Sequence, residues 1–134
     1  MENTLLFCQF VHFVDMNRNY DEIVVDVLKD WKTYKDESPL PYFPHISVGW
    51  DTTPRYIEYD SVDPAKRAVV KNNTPENVEK ALRAAKEYVD EHPNQPPLIT
   101  INSWNEWTET SYLQPDDLYG YGYLEAIKRV FLEE

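Results

Sequence analysis

Apolar positions along this chain follow two different periods, and together they predict three strand-then-helix units. Short apolar runs predict strands from about Leu5 to Val14, from His45 to Trp50, and in a run that begins at Ile99. Apolar residues at helical spacing predict helices from about Tyr20 to Tyr34, from Thr74 to about Glu91, and from Gly120 to Phe131. Strands that alternate with helices indicate an α/β fold with a parallel sheet.

Two architectures fit this order of elements. Three units could form a small open α/β sheet, or they could be the last portion of an eight-unit barrel. Barrels need roughly 250 residues, and this chain has 134, so it would supply about half of one. The helix after Thr74 has the clearest start, because Thr74 suits the N-cap and Pro75 the first helical position.

The candidate chemistry lies in residues 99–109, where an apolar, β-branched run that reads as a buried strand stops in two carboxylates and two tryptophans. In parallel α/β folds, ligands bind at the carboxyl ends of the strands, and Glu106 and Glu109 fall at such an end. Paired carboxylates beside flat aromatic rings suit the binding or cleavage of sugars, with tryptophan walls raising the pKa of one acid.

Composition excludes several classes of partner and cofactor. With 13 basic and 24 acidic side chains, the formal net charge is −11, which disfavours nucleic acid and anionic membrane surfaces as partners. The single cysteine, Cys8, lies in an apolar run and is expected to be a buried, inert thiol. No metal-ligand spacing or phosphate loop is present, so no cofactor is predicted. We also see no signal peptide and no membrane-spanning run, which leaves the localisation open.

Two blocks of sequence resemble a known family. The residues 104–109, 112–116 and 119–124 resemble the C-terminal signature of the WbsX-like proteins, which are bacterial proteins related to glycoside hydrolase family 99. An upstream block, residues 42–45 and 49–55, resembles a second block of that family. The resemblance covers about residues 40–131. It implies that residues 1–134 are a single, partial domain, the C-terminal βαβαβα portion of a TIM-type (β/α)₈ barrel that acts on carbohydrate.

The resemblance also implies roles for the glutamate pair. Glu106 would activate the 2-hydroxyl of a sugar, and Glu109 would serve as acid and then base, in a retaining mechanism through a 1,2-anhydro sugar. Two residues depart from the family pattern. Thr110 stands where the family often has glycine, which alters the freedom of the loop, and Gln114 stands where it often has glutamate.

The remaining candidate substrate-binding residues each have a structural alternative. The aromatic candidates could stack on sugars or belong to the core, Asp51 and Arg55 could bind sugar hydroxyls or form a surface ion pair, and Asn105 could orient Glu106 or satisfy loop amides. The full predicted set is Trp50, Asp51, Arg55, Trp104, Asn105, Trp107, Tyr112 and Gln114.

Three functions therefore compete at the level of the sequence. The first is a glycoside hydrolase-like enzyme that acts on a surface polysaccharide or another complex glycan. The second is a glycosyltransferase role in polysaccharide assembly, and the third is a non-catalytic carbohydrate-binding remnant. In each case the expected partner is a glycan. Self-association through open sheet edges, or pairing with a missing N-terminal half, is a further expectation.

Overall fold

The fold is mixed α/β, as the sequence predicts. A computed structural model describes residues 17–37, 39–58 and 69–133. The predicted first strand and Cys8 lie outside these residues. The helices are α1 (Tyr20–Glu37), α2 (Pro75–Asp90) and α3 (Gly122–Phe131), and the strands are β1 (His45–Ser47), β2 (Thr100–Asn102), β3 (Asn105–Glu106) and β4 (Ser111–Tyr112). Two short 3₁₀ turns cover Thr53–Arg55 and Trp107–Glu109.

The three predicted helices are confirmed, with small changes at their ends. The N-cap of α2 is Thr74, whose side chain accepts a hydrogen bond from the backbone N–H of Asn77, and Pro75 opens the helix. Helix α3 begins two residues later than predicted. Gly120 lies in the left-handed region, with φ of 57°, and forms an isolated bridge with Asp116 instead of a helical turn.

The strands β1 and β2 pair in parallel, with Ile46 opposite Ile101. The carboxyl ends of both strands therefore lie at the same end of the sheet, and the loops that follow the strands begin there. The loop after β1 carries Asp51 and Arg55, and the loop after β2 carries Glu106 and Glu109. The small antiparallel pair β3–β4, which the sequence did not predict, lies within this second loop.

The strand β2 differs from the buried strand that its apolar run predicts. Thr100 is exposed, and Ile101 and Asn102 are half-buried. Among the described residues, β2 has a neighbouring strand on one side only, β1, so one of its edges is open. The described residues contain no closed barrel. Nor do they contain a helix with the length and apolar character needed to cross a bilayer.

The hydrophobic core lies between α1, α2, α3 and the β1–β2 pair. Residues from α1 and α2 provide most of it, and the side chain of Tyr20 ties α1 to the sheet by donating a hydrogen bond to the carbonyl of Ser47 at 2.7 Å. Glu79 of α2 pairs with Arg129 of α3 at 2.7 Å. The core includes Tyr20, Ile23, Val27, Trp31, Tyr42, Ile46, Val48, Val70, Val78, Ala81, Leu82, Ala85, Tyr88, Leu113, Tyr123 and Val130.

His45 gives the sheet a pH-dependent contact. Its Nδ1 lies 2.8 Å from Oγ1 of Thr100, and burial lowers the pKa of His45. The unfolded chain therefore binds a proton at this residue more readily than the folded chain does. We expect the contribution of His45 to the free energy of unfolding to be complete above the ordinary histidine pKa of about 6.5. This contribution should be lost as the pH falls below that value and through the lowered pKa of the folded state. Urea unfolding of wild type and His45→Gln between pH 7.5 and 5.5 measures this. The variant should lose less stability over that range, and equal losses would contradict the prediction.

Candidate functional site

Arg55 brings the two glutamates of the sequence motif together. Its Nη2 donates a hydrogen bond to Oε1 of Glu109 at 2.7 Å and lies 3.8 Å from Oε1 of Glu106. Arg55 and Glu109 are 54 residues apart in the sequence. The candidate site is therefore built from the loops that follow both strands of the parallel pair.

Thr108 completes the contact between the arginine and the pair. Its Oγ1 donates to Oε1 of Glu106 at 2.8 Å and accepts from Nε of Arg55 at 3.3 Å. Because one nitrogen of Arg55 touches both glutamates, their nearest oxygens are at most 6.5 Å apart, the sum of 2.7 and 3.8 Å. This upper limit is compatible with the roughly 5–5.5 Å separation of carboxyl groups in retaining glycosidases.

The glutamate pair is partly open to solvent. The side chain of Glu106 is 47% exposed and that of Glu109 is 18% exposed. Trp104 and Trp107 are both exposed. Because both tryptophans and the side chain of Glu106 are open to solvent, the described residues do not close a tryptophan wall around the carboxylates.

Two hydrogen bonds to backbone carbonyls hold the loop after β1 against the loop after β2. The N–H of Asp51 donates to the carbonyl of Glu109 at 2.8 Å, and the hydroxyl of Thr110 donates to the carbonyl of Asp51 at 3.1 Å. The carboxylate of Asp51 accepts one hydrogen bond from the backbone N–H of Thr53 at 2.8 Å and another from the hydroxyl of Thr53. Asp51 thus orders the turn that carries Arg55, and Arg55 pairs with the glutamates and not with Asp51.

The backbone conformation of Thr110 explains why the family that this chain resembles often has glycine at this position. Its φ is 51°, in the left-handed region, where a β-branched residue is an outlier. Glycine adopts that conformation without steric cost. In this chain the hydrogen bond from the Thr110 hydroxyl to Asp51 partly offsets the strain, and the loop keeps the turn that places Glu109 beside Arg55.

Two serines anchor the β3–β4 hairpin, and sequence reasoning missed both. Ser103 donates from its hydroxyl to the carbonyl of Ser111 at 2.7 Å and accepts from the N–H of Glu106 at 3.2 Å. The buried hydroxyl of Ser111 donates to the carbonyl of Asn102 at 2.9 Å. The signal in the sequence is a hydroxyl residue at each end of the motif, because such side chains commonly bond to nearby backbone groups.

Three side chains that follow Glu106 in the sequence form one connected cluster, namely Trp107, Tyr112 and Gln114. The ring of Tyr112 stacks on that of Trp107, with centroids 3.8 Å apart and planes 19° apart. The indole Nε1–H of Trp107 donates to Oε1 of Gln114 at 2.6 Å, and the hydroxyl of Tyr112 donates to Asp116 at 2.9 Å. Burial, and then the hydrogen bond to Asp116, raise the pKa of Tyr112 to about 12. Tyr112 therefore stays a donor at ordinary pH.

The other predicted residues have different positions. Trp50 packs against the hydrophobic core at the end of β1. Trp104 is 53% exposed, and its carbonyl accepts the N–H groups of Leu113 and Gln114, which closes the hairpin. Asn105 is exposed at the start of β3, opposite Tyr112. A role in binding sugar stays a prediction for each of these residues.

A groove of about 480 Å³ lies elsewhere, between α1 and the C-terminal half of α2. Its lining includes Trp31, Tyr88 and His92. Tyr88 and His92 come shortly before the start of β2, so the groove lies toward the opposite end of the sheet from the glutamates, which follow β2. Its lining carries charges of both signs, from Lys32, Asp36, Glu87 and Glu91. Over the part of the chain that the structure describes, no group of three or more acidic, histidine or cysteine side chains could hold a metal ion.

Comparison with known proteins places these residues in a family. The model of a family described as "Glycosyltransferase WbsX" matches residues 2–127. Two relatives from Xanthomonas campestris pv. campestris, both named "Uncharacterized protein WxcX", are similar to this chain. One is 29% identical over 111 residues, which cover 78% of this chain and 15% of the relative. The other, from strain B100, is 28% identical over 107 residues, which cover 75% and 14%. No solved structure matches the chain.

Proposed function

This chain belongs to the WbsX family, and on that premise we propose that it carries the glutamate pair of a carbohydrate-active enzyme. The proposed reaction is retaining hydrolysis of a complex glycan or surface polysaccharide, with Glu106 activating the 2-hydroxyl and Glu109 acting as acid and base. The matched segment spans about 15% of the length of the first relative, and the activity of the whole protein is therefore part of the proposal.

One observation supports this proposal most strongly, namely the convergence of Glu106 and Glu109 on Arg55. Glycoside hydrolysis needs two carboxyl groups a few ångströms apart, held so that one acts on each side of the reacting sugar. Arg55 and Thr108 fix the two carboxylates relative to each other.

We further propose that the β1–β2 pair is part of a (β/α)₈ barrel. Its parallel pairing, its helix between the strands and the position of the glutamates after the strand ends agree with that architecture. The open edge of β2 would then take a strand from the remainder of the barrel.

The isolated chain is accordingly expected to self-associate, because an open strand edge pairs readily with another chain. Static light scattering over a rising concentration series measures this. The apparent mass should grow with concentration. A compact monomer at every concentration would favour an independent small α/β domain instead.

A glycosyltransferase role is the second candidate, and the description of the family favours it. A nucleotide-sugar donor carries a diphosphate, and its recognition calls for cationic groups or a phosphate loop. Arg55 is occupied by the two glutamates, and the net charge of −11 opposes an anionic donor. Hydrolysis is therefore our first proposal and transfer the second.

One assay separates the candidates. The full-length protein that contains this chain is incubated with bacterial surface polysaccharides, with and without a set of nucleotide sugars, and new reducing ends are counted. Hydrolysis predicts reducing ends without any donor. Growth of the acceptor only when a donor is present would support transfer and overturn the hydrolase proposal. Glycan binding without either product would identify a binding remnant.

A further inference from the structure

The two glutamates of the candidate site are held by different residues. Among the residues that the structure describes, Thr108 is the side chain that donates a hydrogen bond to the carboxylate of Glu106, at 2.8 Å. Arg55 lies 3.8 Å from that carboxylate, which is beyond hydrogen-bonding distance, whereas it donates to Glu109 at 2.7 Å. The orientation of Glu106 therefore depends on a hydroxyl group, and that of Glu109 on a guanidinium group.

The direction of the bonds around Thr108 follows from the count of donors. An arginine side chain only donates, and a threonine hydroxyl has a single proton to give. Oγ1 of Thr108 accepts from Nε of Arg55 at 3.3 Å and lies 2.8 Å from Oε1 of Glu106. Its proton is therefore directed at Glu106. The contact is also local, because Thr108 follows Glu106 by two residues in a 3₁₀ turn, where hydroxyl side chains commonly bond to nearby groups.

Each glutamate keeps one carboxylate oxygen for a ligand. Thr108 contacts Oε1 of Glu106, and Arg55 contacts Oε1 of Glu109. Within residues 17–37, 39–58 and 69–133, no hydrogen bond reaches Oε2 of either glutamate. A group that moves a proton must itself reach the substrate by a hydrogen bond. Oε2 is the oxygen of each glutamate that can do so without breaking a contact within the protein.

We propose that Thr108 is a positioning residue, which holds Oε1 of Glu106 and so presents Oε2 to the 2-hydroxyl of the sugar. This inference rests on the proposed function and adds a residue to it. In the step concerned, Oε2 of Glu106 takes the proton of the 2-hydroxyl as that oxygen forms its bond to C1. The bond from C1 to the leaving oxygen breaks, and the leaving oxygen takes a proton from Glu109. Thr108 keeps its own proton and acts only through Glu106.

The test removes the hydroxyl and keeps the shape of the side chain. Thr108 is exposed, so Thr108→Val opens no cavity. We expect kcat/KM of the full-length protein for aryl glycosides to fall by about tenfold, and by the same factor for good and poor leaving groups. Thr108→Ser keeps the hydroxyl and should retain most of the activity. The matched control is Thr33→Val, which removes an exposed threonine hydroxyl from α1 and should leave the rate unchanged.

A double variant shows whether Thr108 acts through Glu106. In a Glu106→Gln protein, adding Thr108→Val should leave the residual rate with an activated aryl glycoside unchanged, because the carboxylate that Thr108 positions is already lost. A general structural role of Thr108 would lower the rate by the same factor in both backgrounds. That result would overturn the inference.

The remaining outcomes separate the inference from the proposed function. A wild-type rate in Thr108→Val protein, when Glu106→Gln is impaired, would overturn the inference and leave the proposed function standing. A loss that Thr108→Ser does not restore would do the same. An absence of cleavage by the wild type, or normal cleavage by both Thr108→Val and Glu106→Gln, would overturn the proposed function and the inference with it.

Discussion

Glu109→Gln is expected to lower glycan cleavage by about 10²- to 10⁴-fold, and most for substrates with poor leaving groups. Glutamine keeps the hydrogen bond that Arg55 Nη2 donates to this side chain but has no proton to give to the departing oxygen. A good leaving group needs little protonation, so its cleavage should be affected least. The measurement is kcat/KM of the full-length protein for a series of aryl glycosides that differ in the acidity of the released phenol.

Glu106→Gln provides the contrast. In the proposed mechanism this carboxylate activates the 2-hydroxyl, so its loss should be damaging whatever the leaving group, and a 2-deoxy substrate should not be cleaved at all. Glu125→Gln, an exposed residue in the first turn of α3, is the matched control and should retain wild-type rates. Near-normal cleavage by both folded motif variants would refute the mechanism based on the carboxylate pair.

Gly49→Ala is expected to damage the site without touching a predicted catalytic residue. A methyl group at Gly49 would lie 2.9 Å from the carbonyl oxygen of Thr110 and closer still to the amide of Asn73. That amide donates to the carbonyl of Val48 at 2.8 Å, so it is not free to move away. Forcing a methyl group into a packed position costs about 1–3 kcal/mol, and the loop that carries Glu109 must shift with Thr110.

The control for this prediction is Gly120→Ala. A methyl group there would meet nothing within 4 Å, although the φ of 57° strains any other residue by roughly 1–2 kcal/mol. Urea unfolding should therefore show a loss of stability in both variants. Glycan affinity, measured where both are folded, should fall only for Gly49→Ala. Equal affinities would mean that the loop contact at Gly49 does not set the position of Glu109.

The sequence predicted those parts of the fold that depend on local patterns. The 3.6-residue period marks α1, α2 and α3, and the pair Thr74–Pro75 marks the start of α2, because capping and helix propensity act over a few residues. The position of Glu106 and Glu109 directly after an apolar run singled out the glutamate motif, and the family resemblance then implied a role for each glutamate. Because Glu106 follows a strand, it was expected at the carboxyl end of the sheet, where β1 and β2 both end.

Other features could not be predicted, because they depend on contacts between distant segments. Arg55 was expected to bind sugar or to pair with Asp51, and only the packing of the two loops shows that it holds Glu109. The exposure of Thr100 follows from how many strands flank β2, which its own sequence does not encode. The hairpin β3–β4 is too short for a periodic signal, with only two residues in each strand.

The central claim is that a glycan binds at the carboxyl end of the sheet, beside the loop that carries Glu106, Glu109 and Trp107. The chain has four tryptophans, and each indole N–H gives its own ¹⁵N–¹H resonance. Trp31 is 2% exposed and lies toward the opposite end of the sheet, so it serves as an internal reference. Titration of the ¹⁵N-tryptophan-labelled chain with the oligosaccharide that binds most tightly should shift the Trp107 resonance in a saturable way and leave that of Trp31 unchanged. A shift at Trp31 with none at Trp107, when binding is established by calorimetry, would contradict the account.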